Sequence, residues 1–451
     1  MNVMLTIPEL KQKACATIEK NKKEIVGIAQ DILAHPEAGF SEKRTSRLVA
    51  RQFEKLGIQH RPGLAITGVK GRVLAGNGPG PRVAILGELD SLVVREHPFA
   101  DPVTGAAHAC GHHCQIGMML GTVMGLLTPE VLGQLSGEIM PFAVPAEEFI
   151  EVERRLQLRE AGRLEFLGGK QELIGLGEFD DVDMAIMCHT ASDMGANLFA
   201  LGGTSNGHLV KYVQFKGRGA HAGSAPHRGI NALNAATFAL QAIHANRETH
   251  RAEDTVRVHG IMTRGGEAVS AVPADVRLEW RVRSSTPRAV VGNAAVVDRC
   301  FKAGALAVGA AVEITNIPGY LPLRQNATLQ ELFRQSSADL LGEGATLLIP
   351  ARRNRGGSTD MGDLSHIIPV CHPYTGGAEG PGHSKEYLVN DYEVAVVNPA
   401  KVMAMVVIDL LAGDAAKAKQ VIGAHRPVLS KQAYLKFQRE RAEIIRFDGG
   451  G

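Results

Sequence analysis

The stretch His108-Ala109-Cys110-Gly111-His112-His113-Cys114-Gln115 holds three imidazoles and two thiols in eight residues. No other segment of the chain is so rich in soft or borderline metal donors. In an extended conformation alternate side chains share a face, so Cys110 and His112 point at one ion, with His108 on the same side and His113 opposite. A closed structural zinc site draws its ligand pairs from separate turns, whereas here the donors crowd a single turn. The stretch is therefore half of a site, and the rest must come from elsewhere in the chain.

Candidates for that other half sit at the ends of short apolar runs. Arg82 to Gly87 has the length of a buried strand and empties into Glu88-Leu89-Asp90. Gly137 to Val144 empties into Pro145-Ala146-Glu147-Glu148, and Met184 to Met187 into Cys188-His189. His366 to Val370 precedes a Gly/Pro-rich loop that delivers His383. In open α/β sheets ligands bind outside the carboxyl ends of the strands, which is where these polar residues fall. Adjacent Glu147 and Glu148 cannot both face one site from a regular strand, so they are expected in the turn after it. The His/Cys stretch runs into a helix starting near His113 or Cys114. Apolar residues at helical spacing, Ile25 to Leu33 and Leu48 to Leu56, predict two amphipathic helices that open the chain, with Gly57 ending the second.

Between Leu209 and about Leu323 the pattern becomes β-α-β-β-α-β, the ferredoxin-like order. Its third strand alternates cleanly, Val276, Leu278, Trp280 and Val282 against Arg277, Glu279, Arg281 and Arg283, and reads as half-exposed. The Lys/Arg-rich tail after Gly423 reads as a solvated helix, and the final FDGGG as a frayed end.

A chain of 451 residues is long enough for two domains, or for one large domain with an insertion. Lys plus Arg (49) nearly balances Asp plus Glu (47), without long runs of one sign, so nucleic-acid and anionic-membrane roles find no electrostatic support. Six cysteines are few for this length and favour ligand or buried thiols in a reducing compartment. The N-terminal segment carries charges throughout and is not a secretory signal. Ile116 to Leu127 and Val402 to Leu411 fall short of the roughly 20 residues a membrane span needs. A soluble cytoplasmic protein is expected.

The motifs HACGHH (108–113), PAEE (145–148), CHT (188–190), GRGAHAGSAP (217–226), GGEAVSAVPADV (265–276), GSTD (357–360) and GPGHS (380–384) follow one another in order. Together they resemble the metallopeptidase family of aminoacylases, glutamate carboxypeptidases and dipeptidases. The resemblance runs from about Ile25 to Leu411. It is closest to the amidohydrolase branch of auxin–amino-acid conjugate hydrolases, hippurate hydrolases and p-aminobenzoyl-glutamate hydrolase. It implies an α/β, mixed-sheet catalytic domain, residues 1–206 and 326–451, with an inserted ferredoxin-like α+β lid at 207–325 through which a homodimer forms. It also implies two divalent ions per subunit, zinc or manganese with cobalt or nickel possible, held by Cys110, His112, Glu148, His189 and His383. Glu147 would be the general base, Asp90 an orienting carboxylate, and His221 of the lid a donor to the reacting carbonyl oxygen.

Arg283 would grip a substrate carboxylate, in contrast to the solvent-facing role its strand pattern suggests. Ser358 and Thr359 lie in a loop that offers hydroxyl and cationic contacts to an acidic substrate, with a merely exposed loop the equal alternative. Cys114 and Cys188 read as core thiols. The activity implied is hydrolysis of an amide in an N-acyl amino acid or dipeptide-like small molecule bearing a carboxylate, by glutamate-assisted attack of a metal-activated water. A strict dipeptidase or carboxypeptidase, or a non-catalytic ligand-binding homologue, are the alternatives. Three departures from the family pattern bear on the pocket: His113 where many relatives have aspartate, Phe149-Ile150-Glu151 in place of a glycine-rich run, and Ser270 in place of asparagine.

Overall fold

The computed structural model describes residues 4–192, 194–195 and 198–450. The strand Arg82–Glu88 is buried over nearly its whole length and lies inside a six-stranded sheet. Val83 and Ile85 join one hydrophobic core, and Ala84 and Leu86 join another on the opposite face. Burial on both faces is why the strand reads as a continuous apolar run. The sheet order is Gln59–Leu64, Gly68–Leu74, Glu138–Val144, Arg82–Glu88, Met184–Ile186, Val370–Cys371. The first two pairings are antiparallel and the other three parallel, so the sheet is mixed. The last strand is shorter than the apolar run before it suggests, because residues 366–368 complete a turn after the short helix Met361–Ser365. A second sheet of four strands sets Phe199–Thr204 between Thr346–Asn354 and Tyr374–Thr375, with His189–Thr190 at its edge.

On one face of the main sheet lies the helix His112–Leu126, buried at every residue and packed by Ile7–Lys20, Lys22–Leu33 and Asn398–Leu411. Ile7–Lys20 precedes the two opening helices expected from the sequence. It buries Leu10, Ala14 and Ile18 at one-turn spacing among charged residues that hide the stripe. The helix over Glu393–Leu411 runs 19 residues, longer than its most apolar part. It is long and apolar enough to cross a membrane, yet most of it is buried inside the domain, as in a core helix.

The strands of the inserted unit, Gly207–Lys216, Arg257–Arg264, Asp275–Ser284 and Ala311–Pro318, form an antiparallel sheet covered by the helices Ala232–Ala245 and Pro287–Val308. This is the β-α-β-β-α-β unit expected. The tail departs from expectation. Glu443–Asp448 is a fifth strand paired with Ala311–Pro318, and the preceding helix Lys431–Arg439 buries Tyr434 and Leu435 in the catalytic core. The end of the chain is thus clamped across both units and is not a frayed, solvated helix.

The polar face of Asp275–Ser284 is also not turned to open solvent. It meets the segment after Glu148, where the helix Val152–Glu160 is inserted: Arg277 pairs with Glu153 at 2.5 Å and Arg281 Nη2 donates to the Phe149 carbonyl at 2.5 Å. Behind them Arg155 is fully buried and donates to the carbonyls of Leu167 (2.7 Å) and Glu148 (2.5 Å), its guanidinium 5.1 Å from the Phe40 ring centroid. Removing a buried charged donor orphans its acceptors. Arg155→Ala is expected to lower unfolding free energy by about 3 kcal/mol in urea denaturation. A loss below about 1 kcal/mol would show that apolar packing alone holds this helix.

Candidate metal centre

Gly111 adopts φ +85° and His112 opens the following helix, so the His/Cys stretch is a tight turn and not an extended strand. A Cβ at Gly111 would stand 1.9 Å from Thr190 Oγ1, so the close approach admits only glycine. The turn gives Cys110 and His112 their convergence by a different route from strand alternation. Cys110, His112 and His189 offer donor atoms within 4.8 Å of one another, and so do Cys110, Glu148 and His383. The Cys110 sulfur is common to both groups, the arrangement of two adjacent cation positions with a shared ligand. All five metal ligands expected from the sequence are brought together.

His108 and His113 are not. Their rings pack against each other at 5.3 Å, and His113 also lies against Tyr392. Burial, then the charges of His112 and His97, push His113 down to about 3, so it is a neutral core imidazole. Cys114 and Cys188 are buried thiols, as expected.

The tautomers of His189 and His112 are set from behind. His189 Nδ1 lies 2.6 Å from the Thr190 carbonyl, which accepts a hydrogen bond from Nδ1–H and leaves Nε2 toward the donor group. His112 Nδ1 lies 3.0 Å from the Asp90 carbonyl and 3.2 Å from Asp90 Oδ1. Asp90 Oδ2 accepts from the Glu148 amide at 2.8 Å, so one wholly buried carboxylate supports a residue from each donor group. His383 arrives from an exposed loop in a left-handed conformation, φ +64°, and is tied by its amide to the Ala109 carbonyl at 2.8 Å. Two buried atoms facing the centre, His112 Nε2 and Glu148 Oε1, make no well-aligned hydrogen bond and have only ionisable side chains near them, Glu88 Oε2 at 3.1 Å and His383 Nε2 at 3.4 Å. Buried polar groups ordinarily make well-aligned hydrogen bonds, and a nitrogen and a carboxylate oxygen without one, beside a thiol and two imidazoles, fit a divalent cation.

Glu147 and Glu148 lie in the turn after Glu138–Val144, as expected, with Ala146 at φ +51°. Both are buried. Burial, then the carboxylates of Glu88, Glu148 and Asp360, raise Glu147 well above the carboxylate range. Burial pushes Glu148 up, but His383, His112, the Cys110 thiol and Arg281 together lower it. Beneath them lies a network the sequence reading did not assemble. Glu88 Oε2 stands 3.1 Å from His112 Nε2, and Lys170 pairs with Glu88 Oε1 at 2.6 Å and with Asp360. Glu88 was visible as one of two acids after a buried strand, but nothing local to Lys170 marks it as a core residue.

The centre opens into a cavity of about 210 Å³ between the catalytic and inserted units. Arg283, Ser358 and Thr359 line it, with Arg283 Nη1 3.1 Å from Ser358 Oγ. Arg355 of the expected cationic loop and Phe149 of the departure after the paired glutamates line it too, as do Arg281, Tyr320 and His372, for which the sequence suggested no role. His221 is not among the lining residues. It is exposed on the inserted unit, its Nδ1 accepting from the amides of Gly223 and Ser224 at 3.1 Å, which leaves Nε2–H as a donor.

A paired-cation donor set with a buried glutamate beside it, at the strand ends of an α/β domain and roofed by a ferredoxin-like insertion, defines a metal-dependent hydrolase. Comparisons with known proteins place it further. Residues 200–297 match the peptidase dimerisation domain of the M20 family. The chain is 31% identical over 288 residues to thermostable carboxypeptidase 2 of Saccharolobus solfataricus, covering 61% of this chain and 67% of the relative. It is 26% identical over 423 residues to the Xaa-Arg dipeptidase of Mus musculus, covering 89% of each. A dinuclear metal-binding peptidase of the M20 family from Bacillus subtilis has the same fold, with a TM-score of 0.63, 20% identity, and coverage of 87% of this chain and 99% of that one. The chain belongs to the M20 metallopeptidase family. Because the Gly111 turn sets the Cys110–His112 geometry, Gly111→Ala is expected to weaken metal affinity at least about tenfold in competition with a chromogenic chelator. Unchanged affinity would mean the turn does not hold the ligands.

Proposed function

We propose that this protein hydrolyses the amide of an N-acyl amino acid or dipeptide-like substrate, releasing an amine that bears a carboxylate. The observation that carries the reading is the pair of donor groups sharing Cys110, with the raised Glu147 carboxylate alongside. Cys110, His112 and His189 would hold one ion, and Cys110, Glu148 and His383 the other. Zinc or manganese is the preferred identity from the thiolate, imidazole and carboxylate mixture, with cobalt or nickel compatible. When bound, such ions acidify water and polarise the substrate carbonyl.

The remaining steps belong to the chain. Glu147 takes the proton of the attacking water and passes it to the departing nitrogen. A carboxyl raised by burial and by neighbouring acids suits both halves of that transfer. Asp90 keeps His112 in the tautomer that presents Nε2 and holds the Glu148 backbone in register. Arg283, backed by Ser358, takes the substrate carboxylate in the bidentate geometry guanidinium favours. His221 carries a donor fixed on Nε2 but lies outside its own chain's cavity, so we assign it to the neighbouring cavity of a homodimer formed through the inserted domain, donating to the developing oxyanion. The six cysteines, all free thiols in the structure, favour a reducing, cytoplasmic location.

Metal-stripped protein is expected to be inactive on a panel of N-acyl amino acids and dipeptides, and to recover with added zinc, manganese or cobalt. Glu147→Gln should lower kcat by about 100-fold or more while metal content stays unchanged. Turnover indifferent to chelation would overturn the metal reading, and near-normal kcat in Glu147→Gln would overturn the base assignment. A metal-loaded protein that cleaves no amide would instead be a binding homologue.

A further inference from the structure

Along Asp275–Ser284 the residues 277, 279, 281 and 283 share the face that looks into the catalytic unit. Glu279 and Arg277 are occupied by the inserted helix, through the Glu153 amide and carboxylate. Arg281 and Arg283 lie beyond them and line the cavity. Two residues apart on one strand face, their stems stand about 7 Å from each other. Neither is ion-paired with a carboxylate among the described residues. Arg283 spends donors on His259 Nε2 (3.2 Å) and Ser358 Oγ (3.1 Å), and Arg281 spends one on the Phe149 carbonyl. A guanidinium carries five N–H donors, so both retain unspent hydrogen-bonding capacity.

The two cations oppose each other: burial and then the Arg281 charge hold Arg283 down at about 10. Two partly buried like charges without a counter-ion are costly, and proteins ordinarily pair such groups. The carboxylates that also line the cavity, Glu147 and Glu148, are already assigned to proton transfer and to the metal. Arg355 brings a third guanidinium to the wall, stacked 4.0 Å over Tyr374.

We infer that the released amine carries two carboxylates, the α-carboxylate met by Arg283 and a side-chain carboxylate met by Arg281, so that the substrate is an amide of glutamate or aspartate. This rests on the amide-hydrolase reading above and makes Arg281 the residue that determines specificity. It also separates this chain from the activity named for its Xaa-Arg dipeptidase relative, since a basic leaving residue would bring a further cation against the arginine-lined wall.

The test is a set of matched substrates with metal-reconstituted full-length protein: N-acetyl-glutamate against N-acetyl-glutamine, N-acetyl-aspartate against N-acetyl-asparagine, and Ala-Glu against Ala-Gln and Ala-Arg. The acidic member is expected to have a kcat/KM at least about tenfold higher, the difference lying chiefly in KM. Arg281→Met should bring the acidic substrate down to the level of its neutral partner, and Arg281→Lys should keep part of the preference. That ratio is a readout that general loosening around Phe149 would not move, and the wild-type ratio decides the matter even if the variants fold poorly. Equal or faster cleavage of the glutamine or arginine amides would overturn the inference and leave the hydrolase reading standing. Cleavage of no amide at all by metal-loaded protein would overturn both.

Discussion

The buried carboxylate of Asp90 is the point on which the centre depends. One oxygen faces His112 Nδ1 and the other accepts the Glu148 amide, so a single side chain at the end of Arg82–Glu88 spans the two donor groups. The parallel pairing of Arg82–Glu88 with Glu138–Val144 brings both strand ends to the same edge of the sheet. The hydrogen bonds from Asp90 then convert that coarse alignment into a fixed relation between an imidazole and a carboxylate. Catalytic constellations tolerate little slack, and here the slack is removed by bonds to backbone as well as to side chains.

Below that layer, Glu88, Lys170 and Asp360 form an ion triad with almost no solvent contact. Burial alone would push Glu88 up, but Lys170, His112 and His189 together hold it below the carboxylate range. Buried ion networks rarely stabilise a fold better than apolar side chains of the same size would. Their value in this position is electrostatic: an ionised Glu88 beside His112 and Glu147 shapes the field in which those groups exchange or hold protons.

Much of this was legible in the sequence because it rests on short-range periodicity. Buried parallel strands announce themselves as apolar runs, and donors placed just after them inherit a position at the sheet edge. The inserted unit was legible for the same reason, its third strand alternating without interruption. What escaped was set by contacts distant in sequence. The turn at Gly111 depends on Thr190 and Tyr387, and the burial of Lys170 on Glu88 and Asp360, partners from other parts of the chain. Tyr434 and Leu435 are flanked by Lys431, Lys436 and Arg439, so charge counting read a packed helix as a solvated one. His113 illustrates the converse: a titratable residue inside a ligand motif was drawn into the hydrophobic side of the helix that the motif begins, where its neutral ring packs as an apolar one would.

The polar face of Asp275–Ser284 shows how the same alternation can mean two things. Polar residues on every second position satisfy a solvated strand and equally a strand facing another polar surface. The surface it meets is the segment following Glu148, in which Phe149 packs edge-on against His208 and Tyr320 while its carbonyl accepts from Arg281. Tyr320 in turn donates to the Glu147 carbonyl. The backbone of Glu147 and Glu148 is therefore held from the inserted unit's side of the cleft by Arg281 and Tyr320, and from the opposite side by Asp90 and Arg155. A glycine-rich run after the paired glutamates would lack the Phe149 ring that packs against His208 and Tyr320. The replacement by Phe149-Ile150-Glu151 and the helix after it makes the placement of the arginine wall and of the glutamates one mechanical unit, with only Glu148 between Glu147 and Phe149, whose carbonyl Arg281 holds.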